Sequence, residues 1–288
     1  MGKDARDVGM AEPYDEVRDT KVIAVVNQKG GVGKSTTAIS LGYALSREPH
    51  HKRVLLVDLD PQASLSQCLG LSVNGSGEGE SIYGVLRGEA TLDSVIIEPE
   101  IRQNALHEDD GAGAVDVAPA ELAMSTIERD LASRKVGTES ILSKALEPIR
   151  GSYDYILLDC RPSTELLEVN AMRAADYLII PVLSELATLY GTDQLIDLYS
   201  GVKEHYNPEL QILGVLLTKV DRRTRLAGQV SEQVRAYFGD KTFDTEIRVN
   251  VQLAEAPGDG QSIFDYAPNS RGAEDYRKLA EEVSTRAV

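Results

Sequence analysis

The stretch Lys29-Gly30-Gly31-Val32-Gly33-Lys34-Ser35-Thr36 limits the fold more than any other feature of this chain. Before it, the apolar run Val22 to Val26 has the length and composition of a buried strand. After it, Ala38, Leu41, Ala44 and Leu45 recur at helical spacing. They predict a helix from about Lys34 to Arg47, stopping before Pro49 because the residue preceding a proline disfavours helix. A glycine-rich loop between strand and helix is the context in which backbone binds phosphate. Gly30, Gly31 and Gly33 let the loop fold tightly and turn its N–H groups toward an anion. The helix N-terminus adds a partial positive charge. Lys34 is then placed for β- and γ-phosphates, and the Ser35 hydroxyl for Mg²⁺. The loop departs from G-x-x-x-x-G-K-[ST] in one respect: Gln28 stands at the first glycine, and a second lysine, Lys29, opens the loop.

Two further segments extend this reading. Val54-Leu55-Leu56-Val57 predicts a second buried strand, ending in Asp58-Leu59-Asp60-Pro61-Gln62. Ligands of open parallel sheets sit at the carboxyl ends of strands, which places Asp58 and Asp60 beside the phosphate loop. Taken alone, the same residues read as a polar turn broken by Pro61. Tyr155-Ile156-Leu157-Leu158-Asp159 is a third apolar run closing on an acid. Such a Walker B strand carries the carboxylate that orients Mg²⁺ through water.

The remaining pattern alternates. Strands are predicted at Val115 to Val117, Asp176 to Val182 and Gln211 to Leu217. Helices are predicted at Ile82 to Leu86, Leu122 to Leu131, Ile141 to Ile149, Ser184 to His205, Leu226 to Phe238 and Gly272 to Val283. Alternation of this kind predicts an α/β fold, which the phosphate loop at Lys29 to Thr36 makes one of the P-loop NTPase type. Its sheet is twisted and mostly parallel, with helices on both faces. Residues 1–20 are charged, carry Pro13 and lack periodicity, and are expected to form a disordered arm before one ATPase domain at 21–288. Residues 71–81 and His107 to Gly113 read as loops.

Thirty basic against forty-six acidic residues give a net charge of −16. That excludes a generic polyanion binder, so contact with DNA has to come from a local patch. The densest basic cluster is Arg222-Arg223-Thr224-Arg225. Cys68 and Cys160 have neither disulfide-framework nor zinc spacing. The first residues lack the apolar core of a secretory signal, and no apolar run approaches the roughly 18 residues of a membrane span. A cytoplasmic protein is expected.

Four segments resemble, in order, the Soj branch of the ParA/MinD family of deviant Walker A P-loop ATPases: Lys29 to Thr36, Asp58 to Gln62, Asp154 to Ser163 and Glu255 to Glu274. The last carries Glu-Ala-Pro and Tyr-Ala-Pro-Asn-Ser-Arg-Gly-Ala-Glu. Val115 to Glu121 resembles the strand that precedes the family's Pro-Ala turn. The resemblance implies ATP and Mg²⁺ as cofactors, weak ATPase turnover, and a homodimer that sandwiches ATP. It makes Lys29 the lysine that crosses to the partner's phosphates and Asp60 the residue that positions the attacking water. Asp58 and Asp159 become Mg²⁺-shell carboxylates with Ser35. The whole loop Lys29, Gly30, Gly31, Val32, Gly33, Lys34, Ser35 and Thr36 becomes the nucleotide cradle.

The same resemblance implies plasmid or chromosome partition, with non-specific DNA bound on the nucleoid and a ParB-type protein stimulating hydrolysis. Arg223 matches a DNA-binding arginine of that branch, whereas Gln252 stands where another arginine is usual; Arg222, Arg225 and Arg248 offer replacement charge. A ParA-like positioning switch that acts on a protein partner is the alternative. The tail Glu281 to Val288 lacks the apolar face of a membrane-binding helix, so no membrane partner is expected. Arg161 replaces a proline after the Walker B strand.

Overall fold

A computed structural model describes residues 19–71, 81–99, 113–132, 137–162, 166–185 and 192–288. Most of the expected arm, residues 1–18, and most of both predicted loops lie outside these residues. At the junction, Thr20 is buried, and its hydroxyl donates to the Tyr153 carbonyl at 2.6 Å, so the packed unit already includes it.

Six strands form one sheet: β1 (Lys21–Val25), β2 (Val54–Asp58), β3 (Val115–Ala118), β4 (Tyr155–Asp159), β5 (Tyr177–Leu183) and β6 (Gln211–Thr218). Their order is β3-β2-β4-β1-β5-β6, and every pairing is parallel. Strand alternation sorts the side chains onto two faces. Ile23, Val25, Leu56, Leu157 and Ile179 join one core, with the helices Lys34–Ser46 and Arg271–Arg286. Val22, Ala24, Val57, Leu158 and Ile180 join the other, under the helices Ile127–Ala132, Leu166–Ala174, Asp193–His205 and Arg225–Phe238. Both faces are therefore covered, which is why the strands read as unbroken apolar runs.

The helix Lys34–Ser46 is buried nearly all round. The Thr37 hydroxyl meets the buried Tyr276 hydroxyl at 3.2 Å, tying this helix to the C-terminal one. Gly214 admits the ring of Phe243: a Cβ there would stand 2.4 Å from it.

Three helix expectations need correction. Ser184 and Glu185 are not helical, and the helix in that region begins at Asp193. The chain leaves β5 still bonded to the sheet, with Ser184 N–H donating to the Thr218 carbonyl at 3.2 Å. Leu122–Thr126 forms a tighter 3₁₀ turn before the α-helix Ile127–Ala132. The helix Ile141–Leu146 gives way to a 3₁₀ turn at Glu147–Ile149, where Pro148 has no N–H to continue the ladder. The helix Leu166–Ala174 was not anticipated.

Candidate nucleotide site

The carboxyl ends of β1, β2 and β4 converge. Parallel pairing sets Asp58 beside Asp159 and Val25 beside Asp159. The loop leaving β1 turns through Gly31 (φ 73°) and Gly33 (φ 93°), a left-handed region that favours glycine. Gly33 caps the following helix, and its carbonyl accepts from Thr37 N–H at 2.8 Å.

Neighbouring strands brace the loop. The Asn27 amide donates to the Pro181 carbonyl at 2.7 Å, while its oxygen accepts from Lys29 N–H at 2.8 Å. At the end of β6, the Thr218 hydroxyl donates to the Val32 carbonyl at 2.9 Å, and the Lys219 ammonium to the Gly31 carbonyl at 2.9 Å. The loop shape is thus held by β5 and β6 as well as by its own glycines.

Lys34 is buried, and its ammonium donates to the Lys29 carbonyl at 3.2 Å. Burial lowers its pKa, opposed chiefly by the Asp159 carboxylate, with Asp60 and Glu168 adding to it. Asp159 is fully buried, and neither of its oxygens has a hydrogen-bond partner among the described residues. Burial and the neighbouring Asp58 charge push its carboxyl well above the usual range; Ser35 and Lys34 only partly offset this. Asp58 is also fully buried and is pushed up to about 6, chiefly by burial. Its oxygens are already engaged, accepting from Asp60 N–H at 3.0 Å and from Ser66 N–H and Oγ–H at 2.9 and 2.7 Å. It therefore shapes the Asp60–Ser66 turn, while Asp159 keeps open coordination.

Two adjacent buried carboxylates with one lysine carry excess negative charge that a divalent cation would neutralise. The donor set fits Mg²⁺, which takes one or two carboxylates, a hydroxyl and substrate phosphates rather than an all-protein cage. Ser35 and Asp159 could hold it, with Asp58, already hydrogen-bonded to Ser66, beside them. Asp60 is half-buried beside them. Lys29 is exposed and pairs with Glu185 at 2.9 Å. The helix at Thr36 to Ser40 borders a cleft closed by Leu253, Pro257 and Ile263, which brings the Glu-Ala-Pro motif beside the loop.

Sequence reasoning missed Glu168, which is buried within the helix Leu166–Ala174 near Lys34. Its signal was a lone acid in the run Leu166-Leu167-Glu168-Val169. It also missed Ser66 and Thr218, which act only through contacts across the fold.

The basic cluster begins just past the outermost strand β6, at the same carboxyl end of the sheet as the loop. Arg222 pairs with Glu246 at 3.1 Å and Arg223 with Asp221 at 2.8 Å. Arg248 bonds Asp275 at 2.6 Å and Glu274 at 2.8 Å. Arg223 holds the Asp221 carboxyl down to about 2, and Lys278 with Arg248 does the same for Glu274. Arg225 and Gln252 are exposed.

A doubly covered parallel sheet with a two-lysine phosphate loop and a Walker B aspartate defines a P-loop nucleotide-binding protein. The family model described as an AAA domain matches residues 20–212. The sporulation initiation inhibitor protein Soj of Bacillus subtilis is 41% identical over 264 residues, covering 92% of this chain and 98% of Soj. The chromosome partitioning protein ParA of Caulobacter vibrioides is 41% identical over 268 residues, covering 92% and 94%. The chain belongs to the ParA/Soj family of partition ATPases. Among solved structures, cobyrinic acid a,c-diamide synthase from Mycobacterium smegmatis with bound ADP and magnesium aligns with TM-score 0.74 and 31% identity, over 91% and 93% of the two chains.

Proposed function

We propose that this protein is an ATP-gated DNA-partition switch working in the cytoplasm on the nucleoid, with a plasmid or chromosome as cargo. The observation that carries the reading is the buried Asp159, whose oxygens have no hydrogen-bond partner among the described residues, beside Lys34 and Asp58 at the mouth of a two-lysine phosphate loop. The names of the Soj and ParA relatives support partition as the task.

In this reading the loop Lys29–Thr36 cradles the phosphates of ATP, Lys34 neutralises them, and Ser35 with Asp159 holds Mg²⁺. The cation would supply charge neutralisation for the transferring phosphoryl group. Asp58 fixes the turn that presents Asp60, and Asp60 orients the attacking water. Lys29, exposed and paired among the described residues with Glu185, is placed to exchange that partner for the phosphates of a second copy. An exposed pair of this kind is worth less than about 1 kcal/mol, so the exchange costs little. Weak intrinsic turnover follows if the second lysine arrives only in the dimer. The dimer doubles the patch formed by Arg222, Arg223 and Arg225, and a ParB-type protein triggers hydrolysis and release.

One observation favours a second reading, in which the switch grips a protein partner instead of DNA. Arg222, Arg223 and Arg248 are already paired with carboxylates. The two readings separate in one set of measurements. Sedimentation with a slowly hydrolysed ATP analogue should give a dimer for the wild type and mostly monomer for Lys29→Ala. Retention on random duplex DNA should require ATP. A dimer that ignores DNA in both ATP and ADP selects the protein-partner reading, and a monomer in all nucleotides removes both.

A further inference from the structure

Lys219 stands just past the end of β6 in a backbone conformation that residues with a Cβ avoid, with φ 52°. It is exposed, yet its ammonium turns back to the phosphate loop and donates to the Gly31 carbonyl at 2.9 Å, 188 residues away along the chain. The residue before it makes the companion contact. The buried Thr218 hydroxyl lies 2.9 Å from the Val32 carbonyl and 3.1 Å from the Val182 carbonyl. Left-handed backbone at a residue other than glycine persists only where surrounding contacts hold it, and such residues gather at functional sites.

A carbonyl fixed on one side of a trans peptide fixes the N–H on the other. By holding the Gly31 carbonyl, Lys219 turns the Val32 N–H away from itself; through the Val32 carbonyl, Thr218 does the same for the Gly33 N–H. Among the described residues neither N–H donates to a protein acceptor, although Val32 is only 1% exposed. The hold on Gly31 matters more. Gly31 sits at φ 73°, and a glycine lets the peptide after it rotate with little steric resistance. Reversed, the Gly31–Val32 peptide would present its carbonyl, the negative end, where a phosphate needs a donor.

We propose that Lys219 is a positioning residue for nucleotide binding: its ammonium locks the Gly31–Val32 peptide so that the Val32 N–H faces the phosphates. The proposal rests on reading Lys29–Thr36 as the phosphate cradle. Lys219 differs in this from the two lysines of the loop. Lys34 is buried within the cradle, and Lys29 pairs with Glu185 at the surface. Lys219 acts on phosphate through a peptide. An ammonium suits that task, because a charged donor holds a carbonyl more strongly than a neutral one.

The test uses the full chain. Calorimetry reads ATP affinity with Mg²⁺, thermal unfolding without nucleotide reads stability, and NMR reads the Val32 amide at saturating ATP. Lys219→Met keeps the stem and removes the donor, and should weaken ATP binding roughly tenfold, as for one lost donor to a charged group. Lys219→Arg keeps a charged donor and should stay within about threefold of the wild type. Lys219→Gly separates positioning from stability. Glycine takes this φ without strain, so the unfolding midpoint should hold or rise while ATP affinity falls as it does in Lys219→Met. ATP should move the wild-type Val32 amide proton downfield, and that shift should be largely lost in Lys219→Met and Lys219→Gly. Unchanged ATP affinity in those two variants overturns the proposal. So does weaker binding with the Val32 shift intact, which would make Lys219 a direct counter-charge, and so does a loss that follows a lowered midpoint in every variant. Unchanged ATP affinity in Lys34→Ala would instead remove the loop assignment beneath it.

Discussion

The nucleotide site and the basic edge beyond β6 are both rich in charge, and they treat it in opposite ways. At the nucleotide site, Asp159 and Glu168 are buried with no hydrogen-bond partner among the described residues, and Asp58 is buried against a like charge. At the edge, Arg222, Arg223 and Arg248 each already hold a carboxylate, and two of them stand in solvent. Buried unpaired charge is expensive unless something arrives to meet it. Exposed paired charge is cheap and binds a new partner only by giving up the old one. The first region leaves buried charge for a ligand to meet, whereas the arginines of the second already have partners. Nucleotide binding should therefore be strong and sensitive to single residues, and DNA binding weak and salt-dependent.

The largest expected effect tests the first half of that contrast. Lys34→Ala should weaken ATP binding by on the order of a hundredfold or more, because truncating one side of a buried charge pair leaves the other uncompensated. Calorimetry measures it, and a loss under tenfold would mean that the site does not depend on its buried lysine. Next comes Asp60→Ala, expected to bind ATP normally while turnover falls roughly a hundredfold, since positioning a water is separable from binding phosphate. Near-normal phosphate release in that variant would move the role to another carboxylate.

A smaller effect concerns pH. Asp58 is raised to about 6 and Glu168 to about 8, so the folded, nucleotide-free protein binds protons that the unfolded chain has already released. Their contribution to stability is then fully present below about pH 4, where the unfolded carboxyls are protonated too, and is lost as pH rises through 6 to 8, the reverse of a salt-bridged carboxylate. Thermal unfolding across that window checks the slope, and ATP with Mg²⁺ should flatten the part owed to Asp58 and Asp159. A stability that climbs over the same window would show the acids to be well paired.

The smallest effect sharpens the second half. Arg223 lies fully exposed against Asp221, so Arg223→Ala should leave stability unchanged and reduce the log–log salt slope of DNA binding by about 0.9. Arg248→Ala should do the opposite. It removes the guanidinium from the buried Asp275, which keeps the backbone N–H of residue 248, and roughly 1–2 kcal/mol of stability should go with it, with little change in salt slope. If the two variants behave alike, Arg248 belongs to a DNA surface and not to the scaffold.

Local chemistry made much of this protein readable in advance. Five apolar runs and the shorter Val115-Asp116-Val117 became six strands, because a strand buried on both faces is defined mainly by consecutive apolar residues and needs no distant partner to be read. Lys29 to Thr36 became a loop with Gly31 and Gly33 at positive φ, because that backbone requirement is met residue by residue. Helix ends were less legible: Ser184 and Glu185 stay out of the helix through a bond from Ser184 to Thr218, thirty-four residues away along the chain.

The charges divide along the same line. That Asp58, Asp159 and Lys34 share one site follows from strand order. That Asp58 is spent on Ser66 and that Arg248 is spent on Asp275 do not, because each depends on which side chain packing brings within a few ångströms. Residue types and their spacing state what a position can do. Only the folded chain decides which charges are satisfied internally, because Coulomb and desolvation energies depend on distance and burial, and neither is a property of sequence.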